Sequence, residues 1–245
     1  MTALPTRKLE AYRYADVAAL ASVWHDLARP ERIEIAAQQR LQQIWLPGAD
    51  PVQVRRVEIA LETGATANIF ALNAASTYGR IEIDVTLADG AHFGLDAANI
   101  GGGNSTLEIV TTIRHVGVAA TSRQTVRSVL GGKAVGSYLG KVAVARDAQQ
   151  TDSVQSVKAM LLDRGATANC KPELEIYADD VKCAHGATVG ELDPQQLFYA
   201  AARGLDPASA RALLLEGFVA GLWSEIEGDD QGIADLARAA LKAIA

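Results

Sequence analysis

Two soft donor atoms stand close together in the run Val181-Lys182-Cys183-Ala184-His185-Gly186: the thiol of Cys183 and the imidazole of His185. If this segment is extended, residues two apart point to the same face, with Cα atoms about 6.6 Å apart. A thiol and an imidazole on one face can share a metal or tune each other's protonation. A nucleophile–base dyad would further need an orienting group and an oxyanion hole, and neither is visible. Counting Cys170 as a possible extra thiol gives two or three ligands, short of the four of a closed zinc site or iron–sulfur cluster. Something outside the chain must then complete the coordination. The structural alternative, a buried cysteine beside a hydrogen-bonded histidine, stays open.

Other candidates are weaker. Asp179 and Asp180 form a possible acid–base pair, as in a β-solenoid polysaccharide hydrolase or lyase, but neighbours on a strand face opposite ways, so a turn is expected. His25 falls in a helical stretch and His92 and His115 on strands, none with a second ligand nearby in sequence. Gly131-Gly132-Lys133 beside Gly136-Ser137 lacks the phosphate-loop spacing. Gly101-Gly102-Gly103-Asn104 lacks the strand–helix context of a dinucleotide site, so both glycine clusters are expected to be turns.

The elements that must position these residues fall into three zones. In residues 1–30, Leu9, Tyr12, Val17, Leu20 and Trp24 recur near helical spacing up to about residue 28, and Pro30 closes the segment. From 31 to 189 alternation takes over, as in Val57, Ile59 and Leu61 or Ile81, Ile83 and Val85, with Pro47-Gly48, Asp89-Gly90 and the glycine clusters as turns. The run Val154 to Leu162 reads equally as strand or helix. Glu173-Leu174-Glu175-Ile176-Tyr177 alternates just before the Cys183–His185 run. From 190 to 245, Asp193-Pro194 and Asp206-Pro207 each pair an N-cap with a first-turn proline. The stripes Leu215, Phe218, Val219, Leu222, Trp223 and Ile233, Leu236, Ala237, Ala240, Leu241, Ile244 follow. Periodicity leaves the β body open between sandwich, barrel and solenoid.

The 245 residues suffice for a substantial core. A net charge of −6, from 23 basic and 29 acidic side chains, gives no sign of a nucleic-acid partner. No apolar run approaches membrane-spanning length, the first residues do not read as a signal peptide, and two cysteines are too few for a disulfide framework. A reduced cytoplasmic location is expected.

From Lys171 to Gly190, KPELEIYADDVKCAHGATVG, the sequence resembles the SufB/SufD family of iron–sulfur cluster assembly scaffolds, and its SufD branch in particular. Gly101–Asn104, Ala120–Leu130, Gly140-Lys141, Leu197-Phe198-Tyr199, Arg203-Gly204, Ala210–Leu214 and Pro5–Tyr14 resemble other family segments, so the likeness covers almost the whole chain. The resemblance implies a right-handed parallel β-helix followed by a C-terminal helical domain that docks a SufC-like ATPase. Phe198, Leu215, Phe218, Leu222 and Trp223 mark those docking helices. It implies a noncatalytic scaffold paired with a SufB-like paralogue, a homodimer in isolation being a further expectation. A nascent cluster or iron would lie at the subunit boundary, with His185 and Cys183 as this chain's ligands and a SufB cysteine as the partner's. A purely structural, self-pairing solenoid is the remaining alternative.

Overall fold

The computed structural model describes residues 3–27 and 29–244; the first two residues and residue 28 of the expected N-terminal helical segment lie outside that range. Twelve strands follow one another from Glu31 to Gly190: β1 Glu31–Ile35, β2 Arg40–Trp45, β3 Val52–Leu61, β4 Thr66–Asn73, β5 Tyr78–Leu87, β6 His92–Gly101, β7 Thr106–His115, β8 Thr121–Leu130, β9 Val135–Val144, β10 Asp152–Leu161, β11 Thr167–Ile176 and β12 Lys182–Gly190. Odd strands form one six-stranded sheet and even strands another, every pairing parallel. Consecutive strands thus alternate between two facing sheets, and the chain is a parallel β-solenoid. The stretch 154–161 is strand, within β10.

Register makes the repeat concrete. Val52 pairs with Tyr78, Tyr78 with Thr106, Thr106 with Val135 and Val135 with Thr167. Parallel neighbours in register stack like on like, so each inward position becomes a column through the interior. Most columns are aliphatic: Val57, Ile59, Ile83, Val85, Phe93, Leu95, Ile109, Ile113, Val126, Val142 and Val157 all join one buried cluster. Each such side chain contributes about 1.5–3 kcal/mol on burial. Strands covered on both faces lose the inward-apolar, outward-polar alternation. Hence β4 and β6, with Ala67, Ala71, Ala97 and Ala98 buried and the last two on opposite faces, carry little strand signal.

The helices cover the two outer faces. An N-terminal 3-10 turn, Glu10–Tyr12, and helix α1, Val17–Leu27, lie on the odd-strand sheet, where Tyr12, Leu20, Trp24 and Tyr78 form a separate cluster with Val52 and Val54. Asp16 caps α1 by accepting from the backbone N–H groups of Ala18 and Ala19. Beneath this arm lies a buried charge cluster. The Arg80 guanidinium bonds Glu82 (2.8 Å), Glu108 (3.1 Å) and the Ala11 carbonyl (2.7 Å), and stacks 4.2 Å from the Tyr12 ring centre.

On the even-strand sheet sit α3 Pro207–Ala220, a 3-10 turn Gly221–Trp223 and α4 Ile233–Ile244, while α2 Pro194–Ala202 packs on α3. Asp193 and Asp206 accept from the first-turn N–H groups of α2 and α3, and a proline opens each helix. Leu215, Val219, Leu222, Trp223, Ile233, Ala237 and Leu241 bury against Phe70, Leu72, Ala98, Ile100 and Val129. The tip of α4 reaches the glycine corners. A Cβ on Gly102 would come 2.5 Å from the Ile244 side chain, so this corner is built for close approach. Gly103 and Gly132, stacked at the same corner, take φ of 60° and 63°, as a tight turn requires.

Candidate functional site at the open end of the solenoid

The last coil, β11 and β12, has no coil beyond it. On β12, Cys183 pairs in register with Ser153, and His185 with Gln155. Ser153 and Gln155 are buried inward residues, so Cys183 and His185 share the inward face, as the spacing of two predicts. On β11, Cys170 pairs with the buried Tyr138. Both cysteines pack against the main core cluster, whereas His185 is exposed at the mouth. The fold therefore brings all three soft donors to one uncovered opening. The flank of β12 away from β10 is an unpaired strand edge.

Below this opening the interior changes character. The columns under Cys170, Cys183 and His185 are polar. Ser122 on β8 bonds Ser153 on β10 (2.8 Å), and His115 Nε2 bonds Ser122 (3.0 Å). Tyr138 donates to Gln124 Oε1 (3.1 Å) and accepts from Gln155 Nε2 (3.1 Å). Cys170 and His185 thus stand one coil above a hydrogen-bonded pair that spans the interior. Sequence reasoning placed His115 on a strand but assigned none of these residues to a site. Their only signal is register, which variable corner loops conceal.

Burial pushes both thiols upward. For Cys183 the Asp152 charge adds to the rise and a Ser153 backbone hydrogen bond opposes it; for Cys170 burial alone acts. Thiols held protonated are poor spontaneous nucleophiles, and metal binding must displace a proton from them. Among the described residues, no three His, Cys, Asp or Glu side chains are grouped so as to hold a metal ion. The terminal coil thus carries one imidazole and two thiols without grouping them as a metal site, and a closed zinc site or iron–sulfur cluster takes four donors.

The remaining sequence candidates fall elsewhere. Asp179 and Asp180 are exposed in the corner between β11 and β12, where the Asp180 N–H bonds Gln149 Oε1 (2.9 Å). His25 is exposed on α1 beside Asp26. His92 opens β6 and contacts Thr121 Oγ1 (2.7 Å). On the C-terminal helices, Phe198 is 75% exposed, with Tyr199 and Leu213 also open, whereas Leu215, Leu222 and Trp223 are buried against the solenoid and Phe218 is half-buried beside Arg127. A groove of about 930 Å³ runs between α2, α3 and α4, lined by Leu197, Phe198, Ala201 and Leu215 among others. No helix among the described residues is long and apolar enough to cross a membrane.

Residues 32–218 match the family described as SUF system FeS cluster assembly, SufBD core domain. The chain belongs to the SufBD family. The SufBD match takes in the solenoid together with α2 and most of α3, the elements that frame the open coil and the groove. Among relatives, the chain is 35% identical over 130 residues to the iron–sulfur cluster assembly protein SufD of Escherichia coli, covering 53% of this chain and 30% of that protein. It is 27% identical over 171 residues to SufD of Bacillus subtilis, 70% of this chain and 37% of the relative. A SufBD family protein of Synechocystis is 42% identical over 89 residues, 36% of this chain and 20% of the relative. The matched segments thus span well under two thirds of these relatives' own lengths.

The interior histidine of this SufBD solenoid yields a pH test. Burial lowers the His115 pKa from 6.5 to about 4. The folded state then refuses a proton that the unfolded chain takes up. Stability from this group is full above about pH 6.5 and is lost as pH falls towards 4, by about 3 kcal/mol across the window. His115→Gln should flatten that part of the stability–pH curve relative to the parent in urea unfolding.

Proposed function

We propose that this chain is a noncatalytic scaffold subunit that assembles nascent iron–sulfur clusters together with a SufB-like paralogue and a SufC-like ATPase. The observation that carries the reading is the incomplete soft-ligand set of the terminal coil, open beside an unpaired strand edge. A cluster is cargo here, held between two chains and remade when their boundary moves. His185 presents its imidazole to iron at that boundary, Cys183 is the secondary ligand, and Cys170 is an extra thiol of the same opening. The partner's thiolate completes the set, which the resemblance assigns to a SufB cysteine. In isolation the same edge favours a homodimer.

The ATPase docks on the C-terminal helices, and the exposed face that supports this is the groove beside Phe198 rather than the buried Leu215, Leu222 and Trp223. Those three carry force: they fix α3 and its following turn to the even-strand sheet, so motion of a docked partner is transmitted to the solenoid. The working compartment of the reading is the cytoplasm, where thiols stay reduced.

Anaerobic co-expression with SufB- and SufC-like chains tests the proposal. A co-purifying complex that carries both iron and acid-labile sulfide is expected. A stable complex with neither would overturn it.

A further inference from the structure

The hydrogen bonds inside the solenoid leave one buried acceptor beside the terminal coil. Thr111 Oγ1 donates to Gln124 Oε1 (2.7 Å), and the Tyr138 hydroxyl donates to the same oxygen (3.1 Å). A phenol has a single proton, so the Tyr138 oxygen must accept from Gln155 Nε2 (3.1 Å). This fixes which end of the Gln155 amide faces the tyrosine. Gln155 is 1% exposed, and its Oε1 has no hydrogen-bond partner. A buried acceptor left unpaired opposes folding, and native structures rarely keep one without a use.

Register gives Gln155 two side-chain neighbours on its column, Gln124 on β8 and His185 on β12. Gln124 Oε1 and Gln155 Nε2 converge on the Tyr138 hydroxyl, so the two remaining amide ends, Gln124 Nε2 and Gln155 Oε1, diverge. Gln124 Nε2 is itself unpartnered, which agrees with this divergence. The other neighbour, His185, carries a ring N–H donor on the same inward face and is exposed, so its ring is free to rotate.

We infer that Gln155 is the positioning residue for His185: its Oε1 accepts one ring N–H, fixing the tautomer and the ring plane and leaving the other nitrogen's lone pair directed out of the mouth. The inference rests on the reading of His185 as a ligand for its purpose, though not for its geometry. A ligating histidine is commonly held this way through its second nitrogen. The support is also anchored in depth, because Gln155 is held by Tyr138, Tyr138 by Gln124, and Gln124 by Thr111.

The test is read on the free chain, labelled with ¹⁵N-histidine, at a pH where the imidazole is neutral, with His185→Ala assigning the resonance. Long-range ¹H–¹⁵N spectra should show His185 in one dominant tautomer with an observable, slowly exchanging ring N–H. Gln155→Leu should abolish that N–H signal and average the tautomers, with β12 backbone amides unchanged. Gln155→Glu, which keeps an acceptor oxygen, should retain both features. Should the leucine variant disturb the β12 amides, Gln155→Met takes its place with the same expectation. Identical His185 ring spectra in the parent and the apolar variant would overturn the inference, as would an averaged tautomer in the parent; either result would leave Gln155 a partner of Tyr138 alone. Because the spectra need neither partner nor iron, they stand or fall independently of cluster content in the complex.

Discussion

Arg80→Ala is expected to lower stability by about 3–5 kcal/mol, the cost of stranding a buried carboxylate. The Glu108 side chain is fully buried, and its Oε2 is held by Arg80 and by the Tyr78 hydroxyl (2.6 Å). Removing the guanidinium leaves that charge with one neutral donor. The same loss frees the Ala11 carbonyl and the Tyr12 ring, so the N-terminal arm should loosen from the odd-strand sheet. Urea unfolding reads the first effect, and faster proteolysis within residues 5–27 reads the second. Combining Arg80→Met with Glu108→Met should recover much of the loss, because the pair is then removed together. Equal destabilisation by the single and double variants would contradict the ion-pair account. A pH dependence follows from Glu82. Burial raises its carboxyl pKa, but Arg80 and Arg56 outweigh that and lower it below the usual value. Its contribution is therefore present above the ordinary carboxylate range and lost as pH falls through the depressed folded value.

Phe198→Asp is expected to leave folding intact while weakening capture of a SufC-like ATPase by about thirtyfold or more. The phenyl ring is 75% exposed, so its removal costs the isolated chain little. Phe198, Tyr199 and Leu213 are the large apolar side chains that α2 and α3 leave open, and of these Phe198 lines the groove between α2, α3 and α4. An aromatic anchor of this kind typically carries 2 kcal/mol or more of an interface, and a charge in its place also incurs a desolvation cost. Trp223→Asp is the less useful variant, since Trp223 is buried in the helix–solenoid cluster and its replacement damages the fold itself. Capture unchanged by Phe198→Asp, with an unaltered unfolding midpoint, would remove this groove from the docking surface.

Much of the architecture was legible in the residues. The Asp-Pro pairs predicted the starts of α2 and α3, and the Ile233-to-Ile244 stripe predicted α4, because caps and amphipathic spacing are local signals. Strands β3 and β5 were equally plain from Val57, Ile59, Ile81 and Ile83. Strands β4 and β6 were not: Ala67, Ala71, Ala97 and Ala98 lack β-branching, and burial on both faces removes alternation. The solenoid itself came from resemblance. Its repeat is hidden because the corner loops differ in length, as 88–91, 116–120 and 145–151 do. That irregularity also concealed the site's foundation. The common face of Cys183 and His185 could be read from a spacing of two, whereas the stacking of Cys170 on Tyr138 and of His185 on Gln155 needs the inter-coil register. Charge on the N-terminal arm told a similar story: Glu10 meets Lys171 (2.5 Å) across 161 residues of sequence.

The most direct test of the half-site is the iron and sulfide content of the complex purified after anaerobic co-expression, compared between the parent and His185→Ala. His185 is exposed on β12, so the variant should still fold and still co-purify with both partners. The account predicts that iron and acid-labile sulfide per complex fall together by about tenfold or more, as expected when a metal loses a ligand. An intact complex with unchanged iron and sulfide would contradict it.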